Sequence, residues 1–167
     1  MRTLYILSVW IHVLAAAAWI GTLVFIAAVL VPVLRRQGDD RQRARLLGAA
    51  GPGLRTLGWA CFGLLFLTGL VNLIGRGFDL ADPSDVGWRL WQGPFGTALT
   101  WKLLAFAVVL ALSALHDFRW GPRAAAAQPG SPEALRLRRI ASWVGRANLL
   151  LALVIVFFAV LLVRGWP

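Results

Sequence analysis

Three side chains that can bind a ligand or handle a proton, His12, Asn72 and Lys102, each lie inside an apolar stretch long enough to cross a bilayer. Such groups are costly in hydrocarbon unless they are paired or put to use, so each is a candidate functional residue. Imidazole ligates iron, copper or zinc and carries protons near neutral pH. A lysine in a low-dielectric site serves as a proton donor or as the partner of an anion. An asparagine orients a site by hydrogen bonding. A second polar group comprises His116 and Asp117, which end the third apolar run, and Arg146 and Asn148, which enter the fourth.

The elements that must position these residues are membrane helices. The chain is 59% hydrophobic with a mean hydropathy of +0.73, too apolar for a soluble domain of 167 residues. Four runs, roughly Leu4–Leu34, Leu54–Gly75, Thr97–Phe118 and Ile140–Val163, reach the ~20 residues that span ~30 Å of hydrocarbon. The first is longer than needed and should tilt or project. It is too long for a cleavable leader, and no small-x-small site follows it. Arg35, Arg36, Arg41, Arg43, Arg45 and Arg55 lie between the first two runs, and Arg119, Arg123, Arg136, Arg138 and Arg139 between the last two. The middle loop holds Arg76 and Arg89 beside Asp79, Asp82 and Asp85. The positive-inside rule makes the two arginine-rich loops cytoplasmic and both termini extracytoplasmic.

The net charge of +10 is thus a topology signal and a contact for anionic lipid, not a nucleic-acid surface. Tryptophan fits the same frame: Trp10, Trp88, Trp91, Trp101 and Trp166 fall at the outer interface, Trp59, Trp120 and Trp143 at the inner one, and Trp19 deep. The expected architecture is an all-α, integral membrane four-helix bundle, one domain over residues 1–167, in a bacterial-type plasma (inner) membrane. Its first partner is the lipid bilayer. In the loops, Asp39 and Asp40 cap a short basic helix through Leu47 that Gly51-Pro52-Gly53 ends. Ser131-Pro132-Glu133 is a helix start, with Ser as cap, Pro in the first turn and Glu complementing the dipole. Ala124–Gly130 reads as a low-complexity linker.

Depth follows from helix rise. His12 and Lys102 each lie roughly 9 Å above the midplane of their spans and Asn72 roughly 10 Å, so the three share one layer in the outer leaflet. His116 lies roughly 20 Å below His12. Two histidines facing each other across one metal have nitrogens about 4 Å apart, so His12 and His116 would serve separate metal sites if both are used. Cys61 is the only thiol and Met1 the only thioether, which leaves no soft-ligand path for Cu(I) and no CxxCH for covalent haem.

Structural roles compete at every position. His12 shares a helical face with Ser8, Ala15, Ala16 and Trp19, a strip of mainly small residues that suits close helix packing or the flat face of a macrocycle. Lys102 is near enough to the interface to snorkel past Trp101. Asn72 suits a helix–helix hydrogen bond. His116 at a helix end offsets the dipole, with Asp117 pairing with Arg119 or Arg123 and Arg146 reaching Asp117 or lipid phosphate.

Several motifs resemble the copper-resistance protein D (CopD-like) family of membrane proteins. They are Trp10-Ile11-His12 with Ala15–Ala18, Trp19-Ile20-Gly21, Phe25 and Pro32; Leu67-Thr68-Gly69-Leu70-Val71-Asn72; and Leu90–Gly96 with Leu99 and Lys102-Leu103. A more distant likeness is to HemJ-type membrane haem proteins, although the arginine that family carries after its Trp-Gly turn is missing here. The resemblance implies copper homeostasis or transport, with His12 as ligand, Lys102 tuning charge and Asn72 orienting the site. The alternatives are a haem b protein, an oxidoreductase if the haem is redox-active, or a non-enzymatic accessory subunit packed against other membrane subunits.

Overall fold

The computed structural model describes residues 2–36, 40–128 and 130–165, and the described residues are helical with no strand. The elements in chain order are α1 (Arg2–Phe25), a π-helical turn (Ile26–Leu30), α2 (Val31–Arg36), α3 (Asp40–Gly75), α4 (Pro83–Leu90), α5 (Gly93–Ala114), a second π-helical turn (Leu115–Trp120), α6 (Gly121–Ala126) and α7 (Pro132–Arg164). Four continuous segments, Arg2–Arg36, Arg45–Gly75, Gly93–Ala124 and Pro132–Arg164, are long and apolar enough to cross a membrane. These are the four expected spans with wider bounds, from two residues at each end of the first to nine at the start of the second. Asp39 and Trp166 lie outside the described residues.

Both π turns have the same cause. The residue before a proline makes the wide-ring bond in each: Val31 N–H donates to Ile26 O, and Gly121 N–H donates to His116 O. Pro32 and Pro122, next in the chain, have no N–H to offer the carbonyl four residues back. The ladder absorbs the defect by widening one turn rather than breaking. The third apolar run therefore continues past its expected end at Phe118 to Ala126, taking in the start of the supposed linker.

The break expected at Gly51-Pro52-Gly53 is absent, and α3 runs unbroken through Pro52. The missing proline donor would have served the carbonyl of Gly48. The glycines at 48, 51 and 53 have open space where a Cβ would stand, so no neighbouring side chain crowds this stretch. The Thr56 hydroxyl donates to Pro52 O at 3.0 Å, which keeps that turn wound. The start at Ser131 is as expected, its hydroxyl accepting from Ala134 N–H at 3.2 Å with Pro132 in the first turn.

The helices pair as two antiparallel hairpins, α1 with α3 and α5 with α7, joined by α1–α7 packing and by aromatic contacts between α3 and α5. The core consists of Ala15, Trp19, Cys61, Phe62, Leu65, Val109 and Ala152. Phe62 is its hub. Trp19, Trp59 and Phe106 meet it edge-on at ring separations of 5.3, 5.6 and 6.0 Å. Between lipid-facing helices the hydrophobic effect supplies little drive, so such packing and a few interhelical hydrogen bonds must hold the bundle. The small-residue strip of α1 serves this end, with Ser8, Ala15 and Trp19 buried.

Candidate functional site

The layer of His12, Asn72 and Lys102 lies toward the end of the bundle that carries the chain termini. His12 Nδ1 is 2.7 Å from the Thr68 hydroxyl of α3. That hydroxyl has one proton and donates it to Leu64 O at 2.5 Å, so it accepts from the imidazole. The bond puts the His12 proton on Nδ1 and leaves Nε2 with its lone pair. One turn earlier, Ser8 Oγ donates to the Thr68 backbone carbonyl at 3.2 Å, pinning the same turn of α3 twice. Gly69 packs beside the ring, where a Cβ would make an ordinary contact with His12 Cε1 at 3.8 Å.

Lys102, half-buried on α5, lies within electrostatic reach of both His12 and Arg76, the residue just beyond α3. Among the described residues Lys102 has no hydrogen-bond acceptor and no acidic partner, and the Arg76 guanidinium has no ion pair. Arg76 instead lies over the Phe95 ring at 5.0 Å. Asn72 Oδ1 is buried and meets no donor. The layer thus combines unpaired positive charge, a histidine lone pair and one unmet acceptor.

A cap absent from the sequence expectations covers this end. Helix α4 opens on Asp82-Pro83-Ser84, the same start signal as Ser131-Pro132-Glu133, and that pattern could have revealed it. The Asp82 carboxylate accepts from Ser84 N–H at 2.9 Å and from the Ser84 hydroxyl at 2.6 Å. These bonds hold its pKa below the ordinary carboxylate value. Asp85 is likewise depressed, chiefly by the Arg89 guanidinium at 2.7 Å and also by Asp79 N–H. Arg89 lies over Phe78, whose ring pairs with Phe95 at 6.4 Å. Arg76, Phe78, Arg89, Gln92 and Phe95 line an open cavity of about 390 Å³. The cap sits hard on α5: the Thr100 hydroxyl donates to Leu90 O at 2.7 Å, and a Cβ at Gly96 would overlap the Arg89 carbonyl oxygen.

At the arginine-rich end the sequence pairings are corrected. Asp117 meets neither Arg119, Arg123 nor Arg146. It accepts from Trp59 Nε1 of α3 at 2.9 Å and from His116 Nδ1 at 2.8 Å. Arg146 lies over Trp143 at 5.3 Å instead. Asn148 Nδ2 donates to Ser113 Oγ at 3.0 Å across the α5–α7 joint. His12 and His116 stand at opposite ends of the bundle, as their depths required, and no group of three or more His, Cys, Asp or Glu side chains gathers among the described residues.

Comparison with known proteins gives the family. A family model described as a domain of unknown function (DUF4149) matches residues 14–132. An uncharacterized protein of Aquifex aeolicus is 30% identical over 161 residues, covering 96% of each chain. The chain belongs to the DUF4149 family. This overturns the resemblance to CopD-like and HemJ-type proteins, neither of which is matched. The motifs behind that resemblance are rich in Trp, Gly, Leu and Ala, the residue types any small membrane bundle needs for belts and close packing. The DUF4149 match takes in Thr68, Asn72, Arg76 and Lys102, while His12 lies just before it. No solved structure matches the chain.

Proposed function

We propose that this protein is a non-enzymatic membrane binding protein whose outer-leaflet layer receives the acidic group, carboxylate or phosphate, of a small amphiphile. One observation carries the reading: Lys102 and Arg76 lie within electrostatic reach of each other, and neither has an acidic partner among the described residues. Two neighbouring cations repel, and an anion between them relieves the repulsion while gaining charge-assisted hydrogen bonds. His12 Nε2 is placed to accept a proton or hydrogen bond from the acid. Asn72 orients the group. The Phe78–Phe95 pair and the neighbouring spans offer apolar surface to a hydrocarbon tail. The positive-inside rule supports putting this end outside, since the opposite end holds the arginine-rich loops.

The test is a binding titration of the purified full-length protein with a dodecyl carboxylate or phosphate against dodecanol, followed by tryptophan fluorescence. The acids should bind and the alcohol should not, and Lys102→Met should weaken the acids about tenfold or more, the worth of one charge-assisted bond. Equal binding of acid and alcohol would refute the proposal.

A second reading is supported by the His12 tautomer. An imidazole whose Nδ1–H is held by an acceptor presents Nε2 as a preset ligand, the arrangement usual around metal and haem histidines. On this reading a single-histidine site takes haem b or copper, with no second protein ligand of the usual kinds nearby. A Soret band or bound copper in the purified protein, lost in His12→Ala, would favour it over the anion site.

A further inference from the structure

The first four turns of α7 carry a stripe that the outer-leaflet layer does not involve. Arg136, Arg139, Trp143 and Arg146 recur at intervals of three, four and three residues, which sets them on one helical face, and all four are exposed. The opposite face, through Ala134, Leu137, Val144 and Asn148, is buried against the bundle. Trp143 is 63% exposed, with the Arg146 guanidinium lying over its ring.

None of the three arginines has an ion pair among the described residues. Asp117, on the π turn that packs against α7, spends its carboxylate on Trp59 and His116. Glu133, the one acid of α7, stands a turn before the stripe and pairs with none of it. Depth adds the decisive constraint. About twenty residues span the hydrocarbon, and twenty counted back from Arg164 reach Val144. Arg146 therefore enters the hydrocarbon edge facing lipid, while Arg136 and Arg139 lie at headgroup level. An arginine so placed, with no carboxylate partner among the described residues, is neutralised by a counter-charge from the lipid itself.

We propose that this face of α7 is a binding site for an anionic phospholipid of the leaflet at the arginine-rich end. Arg146 holds the phosphate through its paired N–H donors, Trp143 packs its indole against the glycerol and first acyl carbons, and Arg139 and Arg136 draw the anionic headgroup. The guanidinium lies over the indole, and its planar fork of donors matches a phosphate without rearrangement of the fork itself. The site is separate from the outer-leaflet layer and independent of what that layer binds.

The test uses the full-length protein in maltoside micelles, with thermal unfolding followed as phosphatidylglycerol or phosphatidylcholine is added. Phosphatidylglycerol should raise the midpoint and phosphatidylcholine should not. Arg146→Gln should shift the half-effective phosphatidylglycerol concentration upward about tenfold, the worth of one charge-assisted phosphate contact. Arg123→Gln, an exposed arginine off the stripe, should leave the response unchanged. Equal effects of the two lipids on the wild type, or an Arg146→Gln response matching the wild type, would overturn the proposal. If Arg146→Gln does not fold, Trp143→Leu replaces it. That variant keeps every charge and should weaken the phosphatidylglycerol response, and an unweakened response would overturn the stacked site.

Discussion

Replacing Thr68 with valine keeps the shape of the side chain and removes the hydroxyl that accepts from His12. The bond is short at 2.7 Å, and the hydroxyl is polarised by its own donation to Leu64 O. Its loss strands the Nδ1–H of a half-buried imidazole, a penalty of about 1–3 kcal/mol where water cannot compensate. Polar pairs between membrane helices measure less, ~0.6 kcal/mol on average and ~1.7 at most, because the unfolded helices also find partners. A double-mutant cycle of His12→Ala with Thr68→Val should therefore give a coupling of ~1 kcal/mol, in the upper half of that range. The fold supplies an internal control. Ser8 bonds the backbone carbonyl of Thr68, which valine retains, so Ser8→Ala with Thr68→Val should be additive within ~0.5 kcal/mol. Reversible unfolding in mixed micelles titrated with dodecyl sulfate, read by far-ultraviolet circular dichroism, measures both cycles. A His12–Thr68 coupling no larger than the Ser8–Thr68 control would refute the bond and, with it, the assignment of the Nε2 lone pair.

Two further predictions concern the cap. Gly96→Ala should push α4 off α5, because the new Cβ overlaps the Arg89 carbonyl oxygen, a backbone atom that cannot swing aside. The cost should be about 1–3 kcal/mol, seen as faster hydrogen exchange in α4, whereas Gly87→Ala, with open space around it, should not loosen the helix. The cap should also loosen in acid. Asp82 and Asp85 have folded pKa values below their unfolded ones, so their contribution is complete above the ordinary carboxylate pKa and is lost as pH falls through the lower folded values. Hydrogen exchange in α4, corrected for its intrinsic pH dependence, should rise on acidification, and Asp82→Asn should show a smaller change.

How much of this was legible in the sequence varied with the range of the interaction. The four spans were legible because hydrocarbon thickness sets their length and apolar composition marks them. The Ser131 start was legible because a cap is a local affair of four residues, and the same signal at Asp82 would have revealed α4. The stop at Gly51-Pro52-Gly53 was misread because local propensity treats proline as a stop. Whether the ladder breaks or widens depends on the room around the ring and on neighbouring carbonyls. The charge pairings at the arginine-rich end were misread because spacing along the chain finds only near partners, whereas Asp117 meets Trp59 of a different helix.

Composition and helix length together determined that this chain has four helices long and apolar enough to cross a membrane, and helix rise put His12, Asn72 and Lys102 at one expected depth, because those properties sum over many residues and tolerate local error. Only the tertiary structure decided what each polar side chain meets: Thr68 for His12, Trp59 for Asp117, Trp143 for Arg146, Ser113 for Asn148. Depth orders residues along the membrane normal. A hydrogen bond also requires the rotation of each helix about its own axis, and that angle is set by how Phe62, Trp19 and Val109 interlock in the core.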